Sequence, residues 1–154
     1  GLLSNKENEE LDLKKAQKIF GYFDKSYLID LFENLFKGDE KNVIKLYKQI
    51  YQNGVEPKNF LNDFLEILYY LKNISTIKVD GTNFSLNDED FDKLLRISNQ
   101  LDQKNIILFW QFTIETIDEL NVVSNPNLSV EMFLIRLMYL KDFKKIEENY
   151  YEKK

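Results

Sequence analysis

The 154-residue chain contains no Cys and no His, which excludes disulfides, thiolate nucleophiles, Cys/His zinc sites and imidazole acid–base chemistry. Hydrophobic residues make up 44% and charged residues 31%, the balance of one ordinary globular domain. A net charge of −5 and a pI near 4.9 argue against a dedicated nucleic-acid binder while leaving room for a local basic patch.

In chain order, residues 1–10 are polar, and Leu11 to Phe20 read as a short helix closed by Gly21. A stronger helix follows, capped by Asp24 or Ser26, with Leu28, Leu31, Phe32, Leu35 and Phe36 at i, i+3, i+4, i+7 and i+8 and Gly38 at its end. Asp39 caps the next, where Val43, Leu46, Tyr47, Ile50 and Tyr51 repeat that spacing before Gly54. Two such helices on a very short connection predict a helical hairpin. Pro57 suits the first position of a third helix, whose apolar set (Phe60, Leu61, Phe64, Leu65, Ile67, Leu68, Tyr69, Tyr70, Leu71) is too wide for one stripe and predicts contacts on several sides.

The pattern degrades across residues 73–86, which read as a loop with room for a short extended segment near Ile77 and Val79. Asn87 or Ser85 caps a fourth helix whose first turns hold Asp88, Glu89, Asp90 and Asp92, where the helix dipole favours anions; its apolar residues are Phe91, Leu94, Leu95 and Leu101. A fifth, from about Asp102 to Asn121, carries Ile106, Phe109, Trp110, Ile117 and Leu120. After a turn at Ser124-Asn125-Pro126-Asn127, Ser129 is expected to cap a sixth helix bearing Val130, Phe133, Leu134, Leu137 and Met138. The charged end, residues 141–154, extends that helix or forms a tail. No segment alternates with period 2, so the fold class is all-α, a bundle-like domain of about six helices.

Catalytic motifs are absent from the pattern. The glycines lie at 1, 21, 38, 54 and 81, and no pair has the spacing of a phosphate-cradling P-loop. The segment starting at Asp80 fails as a calcium loop: Gly81 falls at position 2 and Phe91 at position 12, where Gly at 6 and Glu at 12 are required. The acids at 88–92 are explained by the dipole without a metal, and the 26 acids single out no catalytic pair. Aromatics fall mainly on core stripes without a basic groove beside them, which disfavours base stacking.

The sixth helix is the most informative. From Ser129 to Leu140 its polar side chains are Ser129, Glu131, Arg136 and the Tyr139 hydroxyl, so it lies either within the core or between two partners. Arg136 is one of two arginines against 19 lysines; it either reaches solvent at the domain edge, pairs with an acid of its own domain, or forms an ion pair with another subunit. Trp110, Glu131, Met132, Arg136 and Tyr139 are the candidate interface residues, and no catalytic, cofactor or metal residue is assigned.

Three stretches, in order, resemble the bacterial DNA polymerase III tau/gamma subunit of the clamp loader. Phe20-Gly21-Tyr22-Phe23-Asp24 is similar to that family's junction between lid and collar domains. Gly54-Val55-Glu56-Pro57 with Phe60-Leu61-Asn62-Asp63-Phe64-Leu65 is similar to its turn and following apolar helix. Ser129-Val130-Glu131-Met132 with Phe133, Leu134, Arg136 and Leu137 resembles its terminal helix. The resemblance covers about residues 11–140, and the Lys- and Asn-rich composition departs from typical members. It implies the end of a lid domain at 1–22, an oligomerisation collar at 23–140 and a charged tail or linker at 141–154. It further implies a bacterial source and partnership with other tau/gamma copies, delta and delta-prime, without direct DNA contact. The absent Cys, the lack of a charged-then-apolar leader and the lack of an apolar run near 18 residues read as cytoplasmic, without a membrane. ATP and zinc would belong to a preceding ATPase domain of the parent, the seat of its clamp-loader activity, and no cofactor to this stretch. Two other readings stand beside it: a helical adaptor that binds a partner peptide, and a carboxylate enzyme with convergent acids.

Overall fold

The computed structural model describes residues 24–74 and 87–152, with side chains described as far as residue 140. The expected helix at 11–20, the lid–collar junction motif before Asp24, the segment near Ile77 and Val79 and the failed calcium loop lie outside the described residues in whole or in part. What is described is all-helical: α1 (Lys25–Lys37), α2 (Glu40–Gln52), α3 (Pro57–Lys72), α4 (Asp88–Gln100), α5 (Gln103–Glu119) and α6 (Pro126–Glu152).

Local chemistry sets most boundaries. The Asp24 carboxylate accepts from the Ser26 N–H at 2.9 Å and starts α1. Gly38, at φ 77°, ends it: the Gly38 and Asp39 N–H groups donate to Leu35 and Asn34, the paired bonds of a Schellman turn. Asp39 at once caps α2 through the Asn42 N–H, so α1 and α2 pack together across two residues. Asn87, rather than Ser85, caps α4, and Asp102 caps α5.

The start of α6 corrects the sequence expectation. The helix begins at Pro126, not at Ser129, and the Asn125 side chain accepts from the Leu128 N–H at 3.2 Å. Proline at the first helical position sacrifices no hydrogen bond, so what reads as a turn is a cap and first turn. Downstream, α6 continues as helix to Glu152.

Helices α3 and α6 are central: α6 meets α1, α2, α3 and α5, while α3 meets α4, α5 and α6. The wide apolar set of α3 is thereby explained. Its Phe64 stacks on Phe32 of α1 at 4.3 Å and meets Phe133 of α6 edge-on at 5.3 Å, while Phe60 receives Tyr47 of α2 at 4.8 Å. Phe36 of α1 in turn stacks on Phe109 of α5 at 6.1 Å, so ring contacts tie five helices together. Helix α4 is held partly by polar pegs: Ser26 Oγ donates to Asp90 at 2.8 Å, and Lys93 pairs with Asp30 at 2.9 Å. Lys25 Nζ pairs with Asp63 of α3 at 2.7 Å. Asp90 is therefore buried, where the sequence offered only a dipole reason for its place. Ile97, not among the apolar residues read from the sequence, takes the core position of α4 beside Leu94, while Leu95 is exposed.

Candidate functional site

Helices α5 and α6 pack side by side and carry all five candidate interface residues. On α5 the inward face is Ile106, Phe109, Thr113 and Thr116. Both threonines hide their hydroxyls by donating within the helix, Thr113 to the Phe109 carbonyl at 2.6 Å and Thr116 to that of Phe112 at 2.8 Å. Away from this face stand Ile107, Trp110 and Ile114, at i, i+3 and i+7, all exposed. On α6 the core takes Val130, Phe133, Leu134, Leu137 and Met138. The remaining arc, Leu128, Met132, Arg136 and Tyr139 at i, i+4, i+8 and i+11, is exposed, Met132 by 50% and Tyr139 by 64%.

Arg136 does not need the buried carboxylate that a core position would require. Its guanidinium carbon lies 5.2 Å from the centroid of Phe112 on α5, a cation–π contact that spans the two helices. Among the described residues no acid stands within ion-pair distance of it. Of the two readings within its own domain, Arg136 takes the first: it reaches solvent at the edge, lying across an aromatic ring.

Glu131 is placed differently from the other four. Its side chain is half-buried, and its Oε1 is buried with no hydrogen bond from the described residues. It faces the neighbourhood of Tyr47 on α2, whose hydroxyl donates to Asn127 Oδ1 at 2.9 Å. Burial first, then the negative charge of Glu131, push the Tyr47 hydroxyl well above the usual phenol range. Glu131 belongs to the seam between α2 and α6, while Trp110, Met132, Arg136 and Tyr139 belong to the outer surface.

Ile107, Ile114, Leu128 and Phe112 join this surface although the sequence reading did not select them. A signal existed: residues 106–110 of α5 are apolar without interruption, and five consecutive apolar residues cannot all face one core. Among the described residues no three acids converge as a metal site would require, and Asp88, Glu89 and Asp90 diverge between solvent and core. No described helix is long and apolar enough to cross a membrane.

The model of the family described as DNA polymerase III subunits gamma and tau domain III matches residues 11–152. The chain is also 27% identical over 131 residues to a DNA polymerase III subunit gamma from Buchnera aphidicola subsp. Baizongia pistaciae, an alignment covering 82% of this chain. It spans about a third, 35%, of that relative's length.

Proposed function

Since the chain belongs to the family of DNA polymerase III gamma and tau domain III, we propose that it is a collar: a helical piece that joins clamp-loader subunits into a ring. The observation that supports this is the apolar outer surface of α5 and α6, where Ile107, Trp110, Ile114, Leu128, Met132 and Tyr139 are each at least 40% exposed. Apolar side chains concentrated on adjacent helices, with one arginine among them, have the composition of an association surface. Ring contacts are heterologous, one face against a different face of the next subunit, so the surface need not be self-complementary. The subunits it would meet are further gamma/tau copies, delta and delta-prime. The ATP and zinc chemistry, and the placing of a sliding clamp on primed DNA, would lie with the rest of the parent protein. Residues 1–22 would then finish a lid domain, 23–140 form the collar, and the cytoplasm be its setting.

Co-expression with those subunits tests the reading. Trp110→Glu combined with Met132→Glu should abolish co-purification while leaving the helical content of the isolated chain intact and lowering its thermal midpoint by only a few degrees, because both side chains are partly exposed, Trp110 by 40% and Met132 by 50%. Assembly undiminished in that double variant would overturn the assignment of the surface. Failure of the native chain to co-purify with any such subunit would overturn the collar role itself.

A further inference from the structure

We propose that the outward face of α2 docks a short acidic segment of a partner protein, at a site separate from the α5–α6 surface. The inward face of α2 is committed to the core through Val43, Tyr47 and Ile50. Opposite them stand Lys41, Lys45 and Lys48, at i, i+4 and i+7, all exposed. None of the three forms an ion pair with a described residue, whereas Lys25, Lys37 and Lys93 all do. Together with the half-buried Ile44 and the amide side chain of Gln49 they line a shallow depression of about 900 Å³ that begins at Gly38.

Like charges at i, i+4 repel one another, so this face carries a small standing cost that an incoming anion relieves. The three ammonium groups are spread over about 10 Å of helix axis, the reach of three or four residues of extended peptide. Ile44 between the lysines offers an apolar anchor for a Leu or Ile of that peptide, and Gln49 offers both a donor and an acceptor to its backbone. A nucleic-acid strand fits less well. Asp39 and Glu40 close one end of the depression, and the chain as a whole is at −5, so a long polyanion leaving the three lysines meets repulsion on both scales. A peptide bearing two or three carboxylates fills the face without crossing that boundary.

Fluorescence anisotropy of the 154-residue chain with a labelled hexapeptide of glutamate and leucine tests this. The expected result is saturable binding that weakens as salt is raised, since exposed charges are screened. Lys41→Glu, Lys45→Glu and Lys48→Glu together should weaken it about tenfold or more, from three exposed pairs each contributing up to about fivefold. Ile44→Ala should weaken it about threefold without altering the salt dependence. The triple variant must keep a near-native thermal midpoint, because these side chains are exposed and form no ion pair with a described residue. Equal affinity of the triple variant, equal affinity for the same peptide with Gln in place of Glu, or tighter binding of an oligonucleotide than of the peptide would each overturn the proposal.

Discussion

Tyr47→Phe isolates one hydrogen bond that joins α2 to the start of α6. Tyr47 is fully buried, its ring lies 4.8 Å from Phe60 and 5.3 Å from Tyr51, and its hydroxyl donates to Asn127 Oδ1. Phenylalanine keeps the ring contacts and removes only the hydroxyl. A hydrogen bond of this kind contributes about 0.5–1.5 kcal/mol net, and Asn127, only partly buried, can take a water in exchange, which favours a cost of about 1 kcal/mol or less. That corresponds to roughly 2–4 °C in thermal midpoint for a chain of this size. Tyr47→Ala also removes the ring and should cost about 3–5 kcal/mol. The pH dependence sharpens the test. The folded pKa of Tyr47 is raised by burial and by Glu131, while in the unfolded chain it titrates near the ordinary phenol value of about 10. Its contribution to stability is therefore intact below about pH 10 and is lost as pH climbs from there toward the folded value, at up to about 1.4 kcal/mol per pH unit. The phenylalanine variant has no such loss. Urea denaturation followed by circular dichroism should show native chain and variant converging, then crossing, within about one unit above pH 10. A Tyr47→Phe loss as large as that of Tyr47→Ala, or a difference that stays constant through about pH 11, would refute the reasoning.

Other substitutions probe the frame that carries the surface. Phe64→Ala empties the position where α1, α3 and α6 meet and should cost about 3–5 kcal/mol by denaturant titration. Gly38→Ala adds a methyl group into open space but at φ 77°, so its cost is backbone strain alone, about 1 kcal/mol, and a Gly38→Asn variant should recover part of it. Asn125→Ala removes the cap of α6 and should cost about 1 kcal/mol, whereas Ser129→Ala, within the helix, should be nearly neutral in the same thermal melt.

The contrast between Asn125 and Ser129 shows how far the sequence could be read. Helices α1 and α2 were legible because Asp24, Gly38 and Asp39 act locally: each cap is settled by residues two to five positions away. The start of α6 is ambiguous in the sequence because Asn-Pro serves equally as a turn and as a cap followed by a first helical residue, and only the continuing helix decides between them. Periodicity also tells which face of a helix is apolar without naming what meets it. Tyr47 and Asn127 are 80 positions apart, and Ser26 and Asp90 are 64 apart, so neither pairing leaves a trace in spacing. For the candidate surface, Met132, Arg136 and Tyr139 were legible because α6 has more apolar positions than one core face can hold. Ile107, Ile114 and Leu128 are harder to read because Gln111, Thr113 and Glu115 break the apolar run of α5 and Leu128 follows the turn-like Asn125-Pro126-Asn127.

Arg136 touches both the fold and the proposed association surface, and a role in either can be separated by its size. Its guanidinium lies over Phe112 of α5 while the side chain stands among the exposed positions of α6. For folding, an exposed cation–π contact contributes about 0.5–1 kcal/mol, so Arg136→Ala should lower the thermal midpoint by no more than a few degrees. For association the same group would be desolvated between subunits, where losing an arginine that anchors an interface costs about 2 kcal/mol or more. Arg136→Lys divides the two further: it keeps the charge but loses the planar group that lies flat on a ring and pairs bidentately with a carboxylate. Stability near native in both variants, with co-purification weakened more by alanine than by lysine, is the outcome expected of an interface residue. If both variants assemble as the native chain does, Arg136 serves only to shield Phe112, and the proposed association surface would rest on Trp110, Met132 and Tyr139 without it.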